Sequence, residues 1–422
     1  MQPSIAILFG ILSIAVATGF SRPSHRLKIL GIVAFSFVFR LLLHAFVVRN
    51  LAFFSHGVAG GDCNIYENYG EIIATMWQMD GIQYVTADVL PDISRISLIC
   101  NLYACIIYIC GPGSSFACTA LIAFLACLLC LVMYRFTLEM GASDRIAFGT
   151  FVITIFSPSF IYHTSDMYKD GINALLVVST LYLGLSSAKR FSIIKLALII
   201  PILWALWNVR PYMVFMCLVP LPLAFLGTQQ TFSLRKTIGS LVLMGAMIAA
   251  VAYGASKSVI SGAETQFAHG TNADARTYNS SQGGSSVVFD ESSDSPWSAI
   301  GPKLAYTVFS PFPWTGGSIG LQLAKIDTLI WYYILFSAAR AVQFMWRRDR
   351  QTLLMLLLFL VSGFLAYATT MANIGLIFRQ RMPLVMVTTV LASVYWTHRE
   401  RLTRRRPVVR APLAEIAARP LT

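Results

Sequence analysis

The residues able to do chemistry in this chain fall in a few short stretches. Gly60-Gly61-Asp62-Cys63-Asn64-Ile65-Tyr66-Glu67 sets a carboxylate directly after a long apolar run. Ser165-Asp166-Met167-Tyr168-Lys169-Asp170-Gly171 holds a lysine among two aspartates, and Trp207-Asn208-Val209-Arg210-Pro211-Tyr212 presents a lone arginine. Ile377-Phe378-Arg379-Gln380-Arg381-Met382-Pro383 carries two arginines separated by one residue. A guanidinium fork grips phosphate bidentately, and a carboxylate can take a proton from a hydroxyl as a general base. These types together suit a reaction on a phosphate-bearing substrate.

Each stretch also has a purely structural reading. Asp62 could only cap a helix that follows the two glycines. Asp166, Lys169 and Asp170 could form a locally neutral turn at headgroup level. Arg210 could snorkel beside Trp204 and Trp207, and Arg40, four residues before His44 on one helix face, could reach polar loop atoms. Arg379 and Arg381 are harder to dismiss. They precede a span on the side that should be poor in positive charge, which suggests an anionic partner.

The elements that must position these groups are membrane helices. Hydrophobic residues make up 56% of the 422 and charged ones 12%, with a net charge of +13. That composition describes a polytopic membrane protein, so the charge is a topology signal and nucleic acid is not the expected partner. Taking about 20 apolar residues as the unit of a span, candidates lie at 4–20, 29–48, 115–134, 146–163, 171–187, 193–209, 212–227, 237–256, 322–345, 352–371 and 383–397. The run 5–20 lacks a basic n-region and reads as a span, not a signal peptide. The stretch 98–110 reads as a half-buried or re-entrant helix. The expected fold is therefore all-α: a polytopic bundle of about eleven spans with amphipathic outer-loop helices. Residues 1–400 form one transmembrane domain, and 401–422 form a basic cytoplasmic tail.

One alternation puts the basic loops on a single side: Arg22, Arg26 and Lys28; Arg135 and Arg145; Lys189, Arg190 and Lys195; Arg235 and Lys236; Arg347, Arg348 and Arg350. The positive-inside rule makes that side cytoplasmic, with the N-terminus outside and the C-terminus inside. The outer loops 49–114 and 257–320 then share a face with Asp62, Asp166, Lys169, Asp170, Arg210, Arg379 and Arg381. After the two glycines, Ile65, Tyr69, Ile72, Ile73 and Trp77 recur at near-helical spacing, which predicts an amphipathic helix on the membrane surface. Phe309-Ser310-Pro311-Phe312-Pro313-Trp314 could wall a lipid or sugar groove. The stretch 261–295 has a flexible-loop composition and contains the sequon Asn279-Ser280-Ser281. The cysteines outline neither a disulfide framework nor a metal cluster, and His56, His163 and His269 lack metal-ligand spacing.

On these motifs the chain resembles the C-type superfamily of polytopic membrane glycosyltransferases, in the form found in bacterial exopolysaccharide clusters. An acid after an early span followed by Tyr66 and Glu67, the 157–171 turn, Arg-Pro-Tyr, Pro-Phe-Pro-Trp and Arg-Gln-Arg-Met-Pro carry the likeness, over roughly residues 30–395. The resemblance implies sugar transfer from a polyprenyl-phosphate carrier to a glycan or lipid acceptor on the extracytoplasmic face of a bacterial inner (plasma) membrane. Asp62 would be the base, and Lys169, Arg210, Arg379 and Arg381 would hold the phosphate. Asp166 and Asp170 would take sugar hydroxyls or orient Lys169, and Tyr66, Glu67 and Trp314 would complete the substrate site. No cofactor is expected, with a divalent metal at Asp62 and Glu67 left open because the superfamily's usual acid pair is imperfect here. The alternatives are a polysaccharide polymerase or ligase acting on lipid-pyrophosphate-linked oligosaccharide, in which Arg379 and Arg381 carry the weight, or a lipid-oligosaccharide flippase.

Overall fold

The computed structural model describes residues 1–48, 62–93, 96–225, 237–239, 241–242, 245–246, 249, 287, 299–315, 319–369 and 374–405. Among these, 85% are helical and none lies in a strand. In chain order the helices are α1 (Gln2–Phe20), α2 (Arg26–Leu43), α3 (Asp62–Asp80), α4 (Ser97–Cys110), α5 (Ser115–Glu139), α6 (Asp144–Ile155), α7 (Pro158–His163), α8 (Asp170–Lys189), α9 (Ile193–Trp207) and α10 (Pro211–Leu218). They continue with α11 (Leu221–Phe225), α12 (Ile300–Phe309), α13 (Ile319–Arg348), α14 (Arg350–Thr369), α15 (Ile374–Gln380) and α16 (Met382–Arg405). The glycine pair before Asp62, most of the expected span 237–256, nearly all of 261–295 with its sequon, and the tail beyond 405 lie outside the described residues.

Local chemistry sets where the helices stop. Ser143, Ser157 and Ser192 cap α6, α7 and α9, each side-chain oxygen accepting the backbone N–H three residues on. Pro158 has no N–H to continue α6, so the apolar stretch 146–163 breaks into two helices where one span was expected. Among the described residues, five helical segments are long and apolar enough to cross a membrane: α1, Pro23–Phe46, α5, α8 and α14. Joining α15 to α16 across their 54° bend makes six. The expected span 237–256 lies mostly outside the described residues, and others differ for physical reasons. Proline breaks one span, 212–227 breaks at residues 219–220, and α9 has only 15 residues. The 30-residue α13 carries Lys325, Asp327 and Arg340 among its apolar residues.

The core is built on α5, which touches α1, α2, α6 and α8, and on α13 laid along α16. Beside this core, α3 packs against α4. The face α3 buries is Cys63, Tyr66, Gly70, Ile73, Ala74 and Trp77. Ile65 and Ile72, on another side of the helix, are 43% and 45% exposed, as an apolar face turned to lipid would be. Small residues make the seam: a Cβ on Gly70 would sit 3.0 Å from Ile107 Cδ1 and 3.2 Å from Tyr103 Cβ. Close helix approach selects small side chains over the most hydrophobic ones.

Residues from three of the basic loops meet at one end. Arg22, Arg135, Lys189 and Arg190 line a single cleft there, with Glu139. Lys189 ends α8, whose first residue is Asp170. Twenty residues of helix separate these two by about 30 Å, so the acids and cations around Asp170 lie at the opposite end of the bundle.

Candidate functional site

The segment 164–169 joins α7 to α8, and all of it except Lys169 is buried. Thr164, Ser165, Asp166 and Met167 are fully buried, Tyr168 is 4% exposed and Asp170 is 2% exposed. Its hydroxyls donate back to α7: Thr164 Oγ1 to Phe160 O at 2.5 Å and Ser165 Oγ to Ile161 O at 2.7 Å. Asp166 Oδ1 accepts the Met167 N–H at 2.8 Å. Arg40 fastens the segment from α2. Its Nε donates to Thr164 Oγ1 at 2.8 Å, and its other nitrogens donate to Ile155 O and to the carbonyl and hydroxyl of Ser36. Its guanidinium lies 5.2 Å from the Phe160 ring centre. His44 Nδ1 lies 3.6 Å from Asp166 Oδ1 and 3.3 Å from Thr119 Oγ1. Arg40 and His44 are therefore structural ties.

Above this platform, side chains from four regions of sequence meet. Asp170, at the start of α8, accepts from Arg210 Nη2 at 2.5 Å, and Arg210 Nη1 donates to Tyr212 Oη at 3.1 Å. Arg210 is 6% exposed, so it does not snorkel. Arg379, near the end of α15, reaches Asp170 as well, with Nε 3.0 Å from Oδ2 at an angle too poor for a hydrogen bond. Its Nη2 donates to Asp62 Oδ2 at 2.5 Å, and its guanidinium stacks 5.0 Å from the Tyr168 ring centre. Lys169 Nζ lies 5.7 Å from the Tyr66 ring centre. Asp62 is the open member, its side chain 38% exposed against 15% for Arg379. These five ionisable groups hold three positive and two negative charges, leaving one positive charge unmatched among them.

Lys169 is held among these charges. Burial, followed by the neighbouring Arg210, lowers its ammonium to about 8, against the pull of Asp170 and Asp62. Tyr66 is pushed well above its usual value, first by burial and then by Asp62, and stays a protonated phenol.

The remaining candidates lie elsewhere or play other parts. Arg381 follows Arg379 by two residues but turns to the other side of the bend between α15 and α16. It donates to Thr307 O at 2.9 Å and Val308 O at 3.1 Å. Trp314 stacks on Phe312 with ring centres 5.1 Å apart and is 78% exposed; it makes no described contact with the cluster. Asp166 is sealed beneath the platform, out of reach of sugar hydroxyls, and Asp170 spends its oxygens on two arginines. Glu67 is half-buried on α3, five residues after Asp62, so the two side chains point about 140° apart around the helix. Among the described residues no group of three His, Cys, Asp or Glu could hold a metal ion. Sequence reading passed over Tyr168 as a floor for Arg379, and Tyr212 as partner of Arg210. Both stand directly beside charged residues that were singled out. No protein-family model matches the chain, and no curated protein matches it.

Proposed function

We propose that this chain is an integral membrane glycosyltransferase that moves a sugar from a polyprenyl-phosphate carrier to a glycan or lipid acceptor outside the cytoplasm. The observation that carries this reading is a half-exposed carboxylate, Asp62, joined to a cation cluster with a positive surplus. Lys169, Arg210 and Arg379 would receive the phosphate, and Tyr168 and Tyr66 would hold Arg379 and Lys169 in place from beneath. In the transfer, the acceptor oxygen attacks the anomeric carbon while its proton passes to Asp62. The bond from that carbon to the phosphate oxygen breaks, and its electron pair leaves on the phosphate, where the cations stabilise it. The finer topology belongs to the same proposal: about eleven spans, the N-terminus outside, the C-terminus cytoplasmic, and the cluster on the outer face of a bacterial inner membrane.

The test is transfer of sugar from purified polyprenyl-phosphate-sugar by the purified protein, beside carrier binding. Asp62→Asn keeps shape and removes the basic oxygen, so turnover should fall about a hundredfold or more with binding retained. Arg379→Lys loses the bidentate fork and should weaken carrier binding along with turnover. The pairing of Asp62 with Arg379 favours one second reading, a polymerase or ligase led by its arginines, because a paired carboxylate is a weaker base. Full transfer by Asp62→Asn would decide for it.

A further inference from the structure

Arg381 belongs to a second cleft, open along one side, between α7, α13 and the bend of α15 and α16; His163 in its wall also packs on Tyr168. Arg381 is 1% exposed, and no carboxylate pairs with it among the described residues. Two of its contacts are backbone carbonyls, its ring contacts are Phe378 and Trp331, and its Nε has no hydrogen-bond partner. Across the cleft stands Asp327, 8% exposed, whose carboxylate accepts from Ser157 Oγ at 3.1 Å and the Ser159 N–H at 2.5 Å. Those bonds cap the N-terminus of α7 and leave further lone pairs on both oxygens. Both residues line the one cleft, yet no ion pair joins them. Buried opposite charges held apart in one cleft are costly unless a third group lies between them.

His163 and Thr154 also line the cleft, and its remaining wall is mostly apolar and linear. Asp327, Ile330, Trp331 and Ile334 follow one face of α13, and Met382, Val385, Met386 and Thr389 follow one face of α16. Both stripes run seven residues, about 10 Å, away from the polar end. Ile330 and Ile153, 37% and 38% exposed, flank the mouth, so the slot opens sideways among apolar surfaces.

We propose that this cleft holds one acyl chain and the head of a bilayer aminophospholipid, its phosphate on Arg381 and its ammonium beside Asp327. A zwitterionic head matches one cation and one anion that do not meet. A carrier phosphate would satisfy Arg381 and leave Asp327 facing a like charge. The proposal stands apart from glycosyl transfer and survives its failure.

The test begins with lipid extraction from protein purified in mild detergent. Delipidated protein is then titrated with dihexanoyl phosphatidylethanolamine, dihexanoyl phosphatidylglycerol or free phosphoethanolamine, following the unfolding temperature. About one phosphatidylethanolamine should remain per chain, and its short-chain form should bind at least tenfold tighter than the glycerol lipid or the bare head. Asp327→Asn should erase the preference between the two lipids, and Arg381→Gln should weaken both. Equal binding of the two lipids by the native chain, equal binding of the bare head, retention of an isoprenoid lipid, or no lipid at all would each overturn the proposal. Because the native chain carries the comparison, a variant that fails to fold leaves the test intact.

Discussion

Asp62 and Arg379 lie 317 residues apart in sequence and 2.5 Å apart in space. The same guanidinium reaches Asp170, so one side chain joins the start of α3 to the start of α8 through α15. The partners differ in exposure, 38% for the Asp62 side chain against 2% for that of Asp170. An incoming phosphate would displace the exposed carboxylate and leave the buried one in place. Phosphate binding would then release Asp62 from its cation at the moment a base is needed.

Displacement makes a measurable prediction. Asp62→Asn should bind the carrier as well as the native chain or severalfold more tightly, because nothing competes for Arg379. A double-mutant cycle with Asp62→Ala and Arg379→Ala, read by thermal unfolding in detergent, should return a coupling of about 0.5–1 kcal/mol, since the pair is half-exposed. Zero coupling together with weakened binding in Asp62→Asn would contradict the displacement argument.

Lys169 sets a pH dependence. Its ammonium, lowered to about 8, is mostly charged at neutral pH and mostly neutral by pH 9. Binding of an anionic headgroup should therefore weaken as pH rises through about 8, and Lys169→Gln should flatten the profile. Stability runs the other way. The unfolded lysine, at 10.5, binds more protons than the folded one between about 8 and 10.5, so this group adds stability as pH climbs through that window. A headgroup affinity flat from pH 7 to 9 in the native chain would remove Lys169 from the anion site.

Arg40 should matter to folding alone. Arg40→Met strips donors from Thr164, Ser36 and Ile155 inside the bundle, a loss on the order of 3 kcal/mol, and should lower the unfolding temperature. The pH profile of the surviving protein should be unchanged. A large drop in turnover at full stability would mean that Arg40 touches the reaction after all.

At the α3–α4 seam, Gly70→Leu should cost about 1–3 kcal/mol from overpacking against Ile107 and Tyr103. Ile72→Ala, on the exposed side of the same helix, should cost far less. Comparable losses in unfolding temperature from the two would contradict the buried face described for α3.

Much of this arrangement is legible in sequence because membrane topology sorts polar residues by end. Asp62, Lys169, Arg210 and Arg379 could be assigned to one end without any contact information. What topology does not encode is direction around a helix. Arg379 and Arg381 share an end, but Arg379 lies on α15 and meets Asp62 and Asp170, whereas Arg381 sits at the bend before α16 and lines the cleft against α13. The stripe of α3 does not by itself show which side packs on protein: Gly70 and Ala74 are buried, where close packing favours small residues, while Ile65 and Ile72 stay exposed. Counting apolar residues also treats 146–163 as one span, since it does not register the break at Ser157-Pro158.

The 164–169 segment carries one more consequence. Loops ordinarily exchange their amide hydrogens quickly, yet this one is bonded back onto α7, tied to α2 by Arg40 and covered by Arg379. Its amides should exchange as slowly as those in the middle of α5, which marks it as a fixed anvil under the cations and not a lid. Whatever movement a catalytic cycle requires then falls to the open side of the cluster, where Asp62 begins α3.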